Sequence, residues 1–381
     1  MVDPIALAQA LIRCPSVTPN DEGALSVIET ALKPLGFRLH RLTYGGVENL
    51  YARLGTSSPV FCFAGHADVV PPGHRNLWHS DPFEAEIRDG VLYGRGAADM
   101  KGAVAAFTAA VERILRKAPI EGSIALLITG DEEGEAINGT TKVLAWMKEH
   151  GERIDHCVVG EPSSAAAVGD TIKVGRRGSV TFRVTVQGTQ GHVAYPARAL
   201  NPIPALAVLV TRLNDLTLDD GTAYFDPSTL AFTSVDVGNP AANVIPAEAR
   251  AALNIRFNDL HTSASLVRRI ESEAAAVARE TACTIVVEPS VSGEAFLTQP
   301  GPFLELLQKV VAGATGELPQ LSTGGGTSDA RFIKDQCPVA ELGLVNATMH
   351  KADECAPVAD ILRLVDLYEA ILKTYFANPP R

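Results

Sequence analysis

The chain has 381 residues, 46% hydrophobic and 20% charged, which leaves room for two domains with substantial cores and is too apolar for a disordered chain. Its 33 basic and 44 acidic residues give a net charge of −11, a long-range field that argues against nucleic acid and anionic membrane as partners. A small anionic substrate stays open, because a local group of arginines overrides the mean.

At the N-terminus, "MVDPIALAQALIRCPSVTP" has no basic segment ahead of a long apolar core, so no signal peptide is expected, and Asp3-Pro4 reads as the N-cap and first residue of a helix. No apolar run approaches the roughly 18 residues of a membrane span. The cysteines, Cys14, Cys62, Cys157, Cys283, Cys337 and Cys355, are scattered without a C-x-x-C pair. That pattern suits free thiols in a reducing cytosol, and the expected location is cytoplasmic.

Helical patterns at 4–14, 22–34, 102–116 and 139–150 alternate with the apolar strands "NLYARLG", "PVFCFAGH", "SIALLITG" and "HCVVGEP". This alternation predicts an α/β sheet covered by helices. The style changes at Gly178, where "SVTFRVTVQG" alternates strictly, as a half-exposed antiparallel strand does. A helix at 202–215, the strands "TLAFTSVDVG" and "ARAALNIRFN", a helix at 263–280 and the strand "CTIVVEP" complete a βαββαβ, ferredoxin-like order. A helix at 301–314, "PVAELGL" and a terminal helix at 358–376 return to the first style. The reading is a two-domain α/β protein: a large domain in two parts, 1–177 and 293–381, with a smaller α+β domain inserted at 178–292.

The polar residues that follow the apolar strands carry the chemistry. "LLITGDEEGEAINGT" sets Asp131, Glu132, Glu133 and Glu135 directly after a buried strand, where α/β sheets place their ligands. "VFCFAGHADVVP" ends in His66 and Asp68, "LYGRGAADMKG" carries Asp99 ahead of a helix, "VVGEPSS" ends in Glu161, and "NATMHKADE" offers His350. Each piece alone is weak: "DMKG" also reads as an Asp-capped helix start and "GEP" as a turn. Together, His and carboxylate donors without thiolate fit one or two divalent ions, zinc foremost.

The segments "GHADVVPPG", "YGRGAADMKG", "TGDEEGEAINGT" and "GEPSS", with "GRRGSVTFRVTVQGTQGHVAYP", "TGGGTSDARFI" and "NATMHKADE", resemble the co-catalytic zinc metallopeptidase family of aminoacylases, carboxypeptidases and deacylases. The resemblance covers almost the whole chain. It implies a mixed-sheet α/β/α zinc-hydrolase domain with an inserted ferredoxin-like domain serving as lid and dimer interface. It also implies two Zn²⁺ per subunit, with Co²⁺ or Mn²⁺ able to substitute. His66 and Glu161 would hold one ion, Glu133 and His350 the other, with Asp99 bridging and Glu132 as general base. Adjacent residues of an extended or turning segment point in different directions, which lets Glu132 and Glu133 do different jobs.

Asp68, two residues after His66, is placed to orient that imidazole's second nitrogen. His192 would reach the neighbouring subunit of a homodimer and stabilise an oxyanion there. "GRRGS", "GHVAYP" and "HKADE" point within the family to the branch that cleaves N-succinyl-LL-2,6-diaminopimelate, in lysine and diaminopimelate biosynthesis. Arg176 and Arg256, ahead of Arg177, would clamp the substrate carboxylates, with Ser179, Tyr195, Asn243, Thr323 and Asn346 as hydrogen-bonding partners. The glycine-rich "STGGGTSDAR" lacks the Lys-Ser/Thr pair of a phosphate loop and reads instead as amides and hydroxyls facing a carboxylate. An acetylornithine deacetylase, an aminoacylase or another N-acyl-amino-acid hydrolase of the family is the near alternative, and a non-catalytic binding protein on the same scaffold the distant one. No role follows for Asp131 or Glu135.

Overall fold

The computed structural model describes residues 2–380. The chain forms two compact units: one from the chain up to Val174, Thr298–Ser322 and the chain from Ser328 onward, the other from Gly175–Leu297 and Thr323–Thr327. The sequence reading put the seams at 177/178 and 292/293 and had no sign of the return at Thr323–Thr327.

The large unit is organised by an eight-stranded mixed sheet, in the order Arg38–Tyr44, Val47–Leu54, Ser123–Thr129, Val60–His66, His156–Val159, Val339–Glu341, Thr171–Lys173, Gln320–Ser322. Val60–His66 runs parallel to both of its neighbours. Every residue of Val60–His66 and of Ser123–Thr129 is buried, and burial on both faces is why these segments are continuous apolar runs. Over them lie the helices Gly102–Lys117 and Val358–Ala377, which pack on each other. Phe107 joins this layer to the sheet, stacked 4.3 Å from Phe63 and edge-on to Tyr368 at 5.6 Å. Burying such rings is worth about 1.5–3 kcal/mol each, and Phe63→Ala would cost about 3–5 kcal/mol.

The parallel register places the site. His66 pairs with Thr129, and Ala64 with Val159, so the residues after all three strands emerge at one edge of the sheet. The sequence reading missed Arg38–Tyr44, Thr171–Lys173 and Gln320–Ser322. The first is an edge strand that buries no residue fully and the others span three residues each, too little for an apolar run to show.

The small unit has the βαββαβ order, with an antiparallel sheet arranged Thr229–Asp236, Glu248–Phe257, Gly178–Gln187, Thr284–Gly293. Val180, Phe182, Val184 and Val186 point to one face and pack with Leu206, Leu209 and Ile270 of the helices Pro202–Asn214 and Ser263–Thr281. Both helices start on side-chain caps. Asn201 accepts from the amide of Ile203 ahead of Pro202, and Thr262 with Ser265 forms a reciprocal capping box. The Asp3-Pro4 start is also as read, Asp3 accepting from the amides of Ile5 and Ala6. The six cysteines are free thiols. Among the described residues, no helix is long and apolar enough to cross a membrane.

Candidate metal centre

His66 closes the strand Val60–His66 with no exposed surface. Its Nδ1–H donates to the carbonyl of Asp68 at 2.8 Å, which leaves the Nε2 lone pair facing Asp99 Oδ1 at 3.1 Å and Glu161 Oε1 at 3.6 Å. Glu161 follows the strand His156–Val159. Two glycines let these segments approach. A Cβ on Gly160 would meet Phe63 Cζ at 2.5 Å and Met100 Cε at 2.7 Å, and one on Gly65 would meet the Met100 side chain too. The motifs "AGH" and "GEP" thus make room for the residue that follows Asp99.

Asp99 is not a helix cap. The helix begins at Gly102, and Asp99 precedes it with φ −122° and ψ 93°, which frees its carboxylate. The second oxygen of Asp99 lies 3.2 Å from His350 Nε2, which is also 3.0 Å from Glu133 Oε1. His350 is brought here by the three-stranded sheet Cys355–Pro357, Val91–Tyr93, Ile87–Arg88, in which Cys355 pairs with Tyr93. Two triads result, His66–Asp99–Glu161 and Asp99–Glu133–His350, each with ligand atoms within 4.8 Å of one another and sharing Asp99.

This donor set fits two divalent cations. Glu161 Oε1 is buried without any hydrogen-bond partner. Burial pushes the Glu161 carboxyl well above its usual range, and the charges of Asp99 and Glu132 push it further. Burial would lower His66, but its bond to Asp99 and the charges on Glu161, Asp99 and Asp68 outweigh that and raise it well above its ordinary value. His350 is raised to about 10 by its bonds to Asp99 and Glu133. Glu161, His66 and His350 thus each answer to a surplus of negative charge, which bound dications would offset.

Around the triads, Asp68 meets the second ring nitrogen of His66. Its backbone carbonyl, not its carboxylate, holds His66 Nδ1; the nearest carboxylate oxygen is 3.7 Å away. That carboxylate accepts from Thr18 Oγ1 at 2.6 Å and from the amides of Glu133 at 3.1 Å and Glu132 at 3.4 Å, so it anchors the loop bearing both glutamates. Asp131 anchors the same loop from within, accepting from the amides of Ile137 and Asn138 at 2.9 and 2.8 Å. Burial raises the Glu132 carboxyl well above its usual range, opposed by His66 and reinforced by Asp329, Glu133 and Asp99. Glu135 is exposed.

The remaining sequence candidates lie in the small unit, apart from Asn346, whose amide donates to the carbonyl of Ser164 in the large one. Three are gathered on exposed loops. His192 pairs with Val244, Asn243 accepts from the amide of Val193, and the Tyr195 ring lies 5.9 Å from that of His192. His192 Nδ1 accepts from the amide of Ala194 at 3.1 Å, which puts the ring proton on Nε2. Arg256 sits opposite Ser179 on neighbouring strands, its pKa lowered by burial and by Arg177. Arg176 is buried and donates to the carbonyl of Gly324 at 3.2 Å. The Thr323 hydroxyl donates to the carbonyl of Tyr224 at 2.6 Å.

Sequence reasoning missed Arg95, Glu354 and Thr18. The first two stand inside quoted motifs, but nothing in their spacing shows that they form a buried ion pair at 2.6 Å.

Comparison with known proteins places these features in a family. The profile of peptidase family M20/M25/M40 matches residues 62–374. The chain is 57% identical over 381 residues to the succinyl-diaminopimelate desuccinylase of Parvibaculum lavamentivorans, covering 99% of this chain and 96% of the relative. It is 58% identical over 382 residues to the protein of that name from Rhodospirillum centenum, covering 99% and 98%. Among solved structures, aminopeptidase PepT from Bacillus cereus superposes with a TM-score of 0.80 at 20% identity, over 98% of each chain. A dinuclear metal-binding peptidase of the M20 family from Bacillus subtilis superposes with a TM-score of 0.75 at 15% identity, also over 98% of each.

Proposed function

This chain belongs to peptidase family M20/M25/M40, and from that premise we propose that it hydrolyses N-succinyl-LL-2,6-diaminopimelate to succinate and LL-2,6-diaminopimelate, with zinc as its native metal. It is a hydrolase of lysine and diaminopimelate biosynthesis, as its relatives at 54–58% identity are named. The observation that carries the mechanism is the pair of triads sharing Asp99, with Glu132 beside them and outside both.

His66 and Glu161 would hold one ion and Glu133 and His350 the other, with Asp99 between them. Divalent ions held there would supply Lewis acidity to the scissile carbonyl and would bring the pKa of a water toward about 7. Glu132 does the proton work. It takes the proton of the attacking water and, as the amide C–N bond breaks, returns it to the departing amine. The Asp68 carboxylate positions Glu132 by holding its backbone amide.

The inserted domain would pair two chains into a homodimer, in which His192 of the partner subunit offers its Nε2–H to the oxyanion; the Ala194 amide fixes that tautomer. Arg176 and Arg256 would receive substrate carboxylates, with Ser179, Tyr195, Asn243 and Asn346 as hydrogen-bonding partners. The six free thiols support a cytoplasmic location.

The test is amine release by the zinc-loaded protein from N-succinyl-LL-2,6-diaminopimelate and, in parallel, from N-acetylornithine. Preference for the first supports the proposal. Preference for the second assigns the chain to a deacetylase branch, and turnover of neither overturns the substrate proposal.

A further inference from the structure

We propose that the buried Arg95–Glu354 ion pair is a positioning device that holds the bridging carboxylate of Asp99 and the imidazole of His350 in register, and so sets how tightly the chain binds its second metal ion. The inference rests on the two-ion reading of the site. Glu354 has no exposed surface and Arg95 is 2% exposed, and Nη1 of the arginine meets Oε2 of the glutamate at 2.6 Å.

The other glutamate oxygen faces the Asp99 turn. Oε1 accepts from the amides of Ala98 and Asp99, both at 3.0 Å. They hold the turn together with the bonds of the Lys101 amide to the Gly96 carbonyl at 2.9 Å and of the Ala97 amide to the Gly94 carbonyl at 3.0 Å, while Asp99 and Met100 between them lie outside helical φ and ψ. The Glu354 carbonyl accepts in addition from the amide of Gly94 at 2.9 Å. One residue thus ties its own loop to the Asp99 segment through both side chain and main chain.

The arginine faces the other way. Its Nη2 lies 3.5 Å from the carbonyls of His350 and Pro71, and its guanidinium lies over the Trp78 ring at 5.3 Å. His350 has φ 61°, a left-handed conformation that a non-glycine residue keeps only when its surroundings impose it. The ion pair therefore touches the backbone of the shared ligand at one end and of a second-ion ligand at the other, without touching either ligand's side chain.

Stability alone does not explain such a pair. Desolvating both charges offsets most of their attraction, and an apolar replacement of similar volume is often no less stable. What an apolar pair cannot do is accept two amides and face a carbonyl, which is how residues behind a metal site orient its ligands.

The test is calorimetric titration of Zn²⁺ into metal-free protein, wild type beside Glu354→Gln and Arg95→Lys, with the thermal midpoint of each metal-free protein. Gln keeps the shape and an acceptor for the amides but loses the charge facing Arg95. The expected result is two ions in each, with the affinity of the ion held by Asp99 and His350 weakened by about 10–100-fold in Glu354→Gln and about tenfold in Arg95→Lys, and that of the other ion, which shares only Asp99, weakened less. The KM of the succinylated substrate should stay put while kcat at limiting zinc falls. Unchanged affinity for both ions overturns the proposal, even with a lowered midpoint, because a merely structural pair would move only the midpoint. If Glu354→Gln does not fold, Arg95→Lys decides by the same criterion. A wild-type chain that binds fewer than two ions overturns the two-ion reading and this inference with it.

Discussion

Asp219 in the small unit and Glu161 in the large one are both buried carboxylates, yet protein atoms surround them in opposite ways. Asp219 accepts from the amides of Gly221 at 2.8 Å and Ser228 at 3.2 Å, from Asn258 Nδ2 at 2.5 Å and from His261 Nε2 at 3.0 Å. Burial raises its pKa, but hydrogen bonds, led by one from the Ser228 side chain and followed by those of the Gly221 and Ser228 amides and Asn258, outweigh it and bring the carboxyl to about 2. Glu161 leaves one oxygen buried without a partner, and so does Asp329 with both of its own. Burial raises Asp329 to about 6. A carboxylate ringed by donors needs nothing more, whereas carboxylates that face one another and lack donors call for cations. Counting donors, rather than acids, separates a structural centre from a metal centre.

The largest expected effect breaks the metal centre and spares the other. Chelation should abolish hydrolysis and lower the thermal midpoint, and zinc should restore both. An ion at a hundred times its dissociation constant stabilises by about 2.7 kcal/mol. A chelated protein with full activity would sink the two-ion reading. Next, Glu132→Gln should keep both ions by elemental analysis and lower kcat by about 10²–10⁴-fold, the share of a general base. If kcat held while metal was lost, Glu132 and Glu133 would have to exchange roles.

The converse change is Asp219→Asn, which should cost about 1–3 kcal/mol in denaturant unfolding and leave zinc content untouched. Its pH dependence has a definite sign. The folded pKa of Asp219 is depressed to about 2, so its contribution is present above the unfolded value of about 3.9 and is lost as pH falls through about 2. The stability gap between wild type and Asp219→Asn should therefore close in acid, and a gap independent of pH would refute the assignment. The smallest effects sharpen the acidic loop. Asp131→Asn should cost about 1 kcal/mol through its two amides, and Glu135→Ala, at an exposed position, should stay within about 0.5 kcal/mol.

Legibility in the sequence followed the same divide. The strands Val60–His66 and Ser123–Thr129 showed as apolar runs because they are buried on both faces, and their ends announced His66, Glu132 and Glu133. The edge strand Arg38–Tyr44 did not show, because its residues alternate only between exposed and half-buried. Asp68 was rightly singled out beside His66, but a residue's spacing cannot say whether its carbonyl or its carboxylate makes the contact. Nor could spacing show that the Thr323 hydroxyl donates to the carbonyl of Tyr224, 99 positions away.

By itself the sequence determined the long buried elements, their periodicities and the His and carboxylate residue types at the strand ends, because these are local properties of residue type and spacing. Only the tertiary structure decided which oxygen of Asp99 faces which histidine, and that an arginine and a glutamate 259 positions apart pair behind that turn. The reason is physical. A ligand's identity is written at one position, but its orientation is set by whichever atoms the fold brings within hydrogen-bonding distance, and those lie far away along the chain.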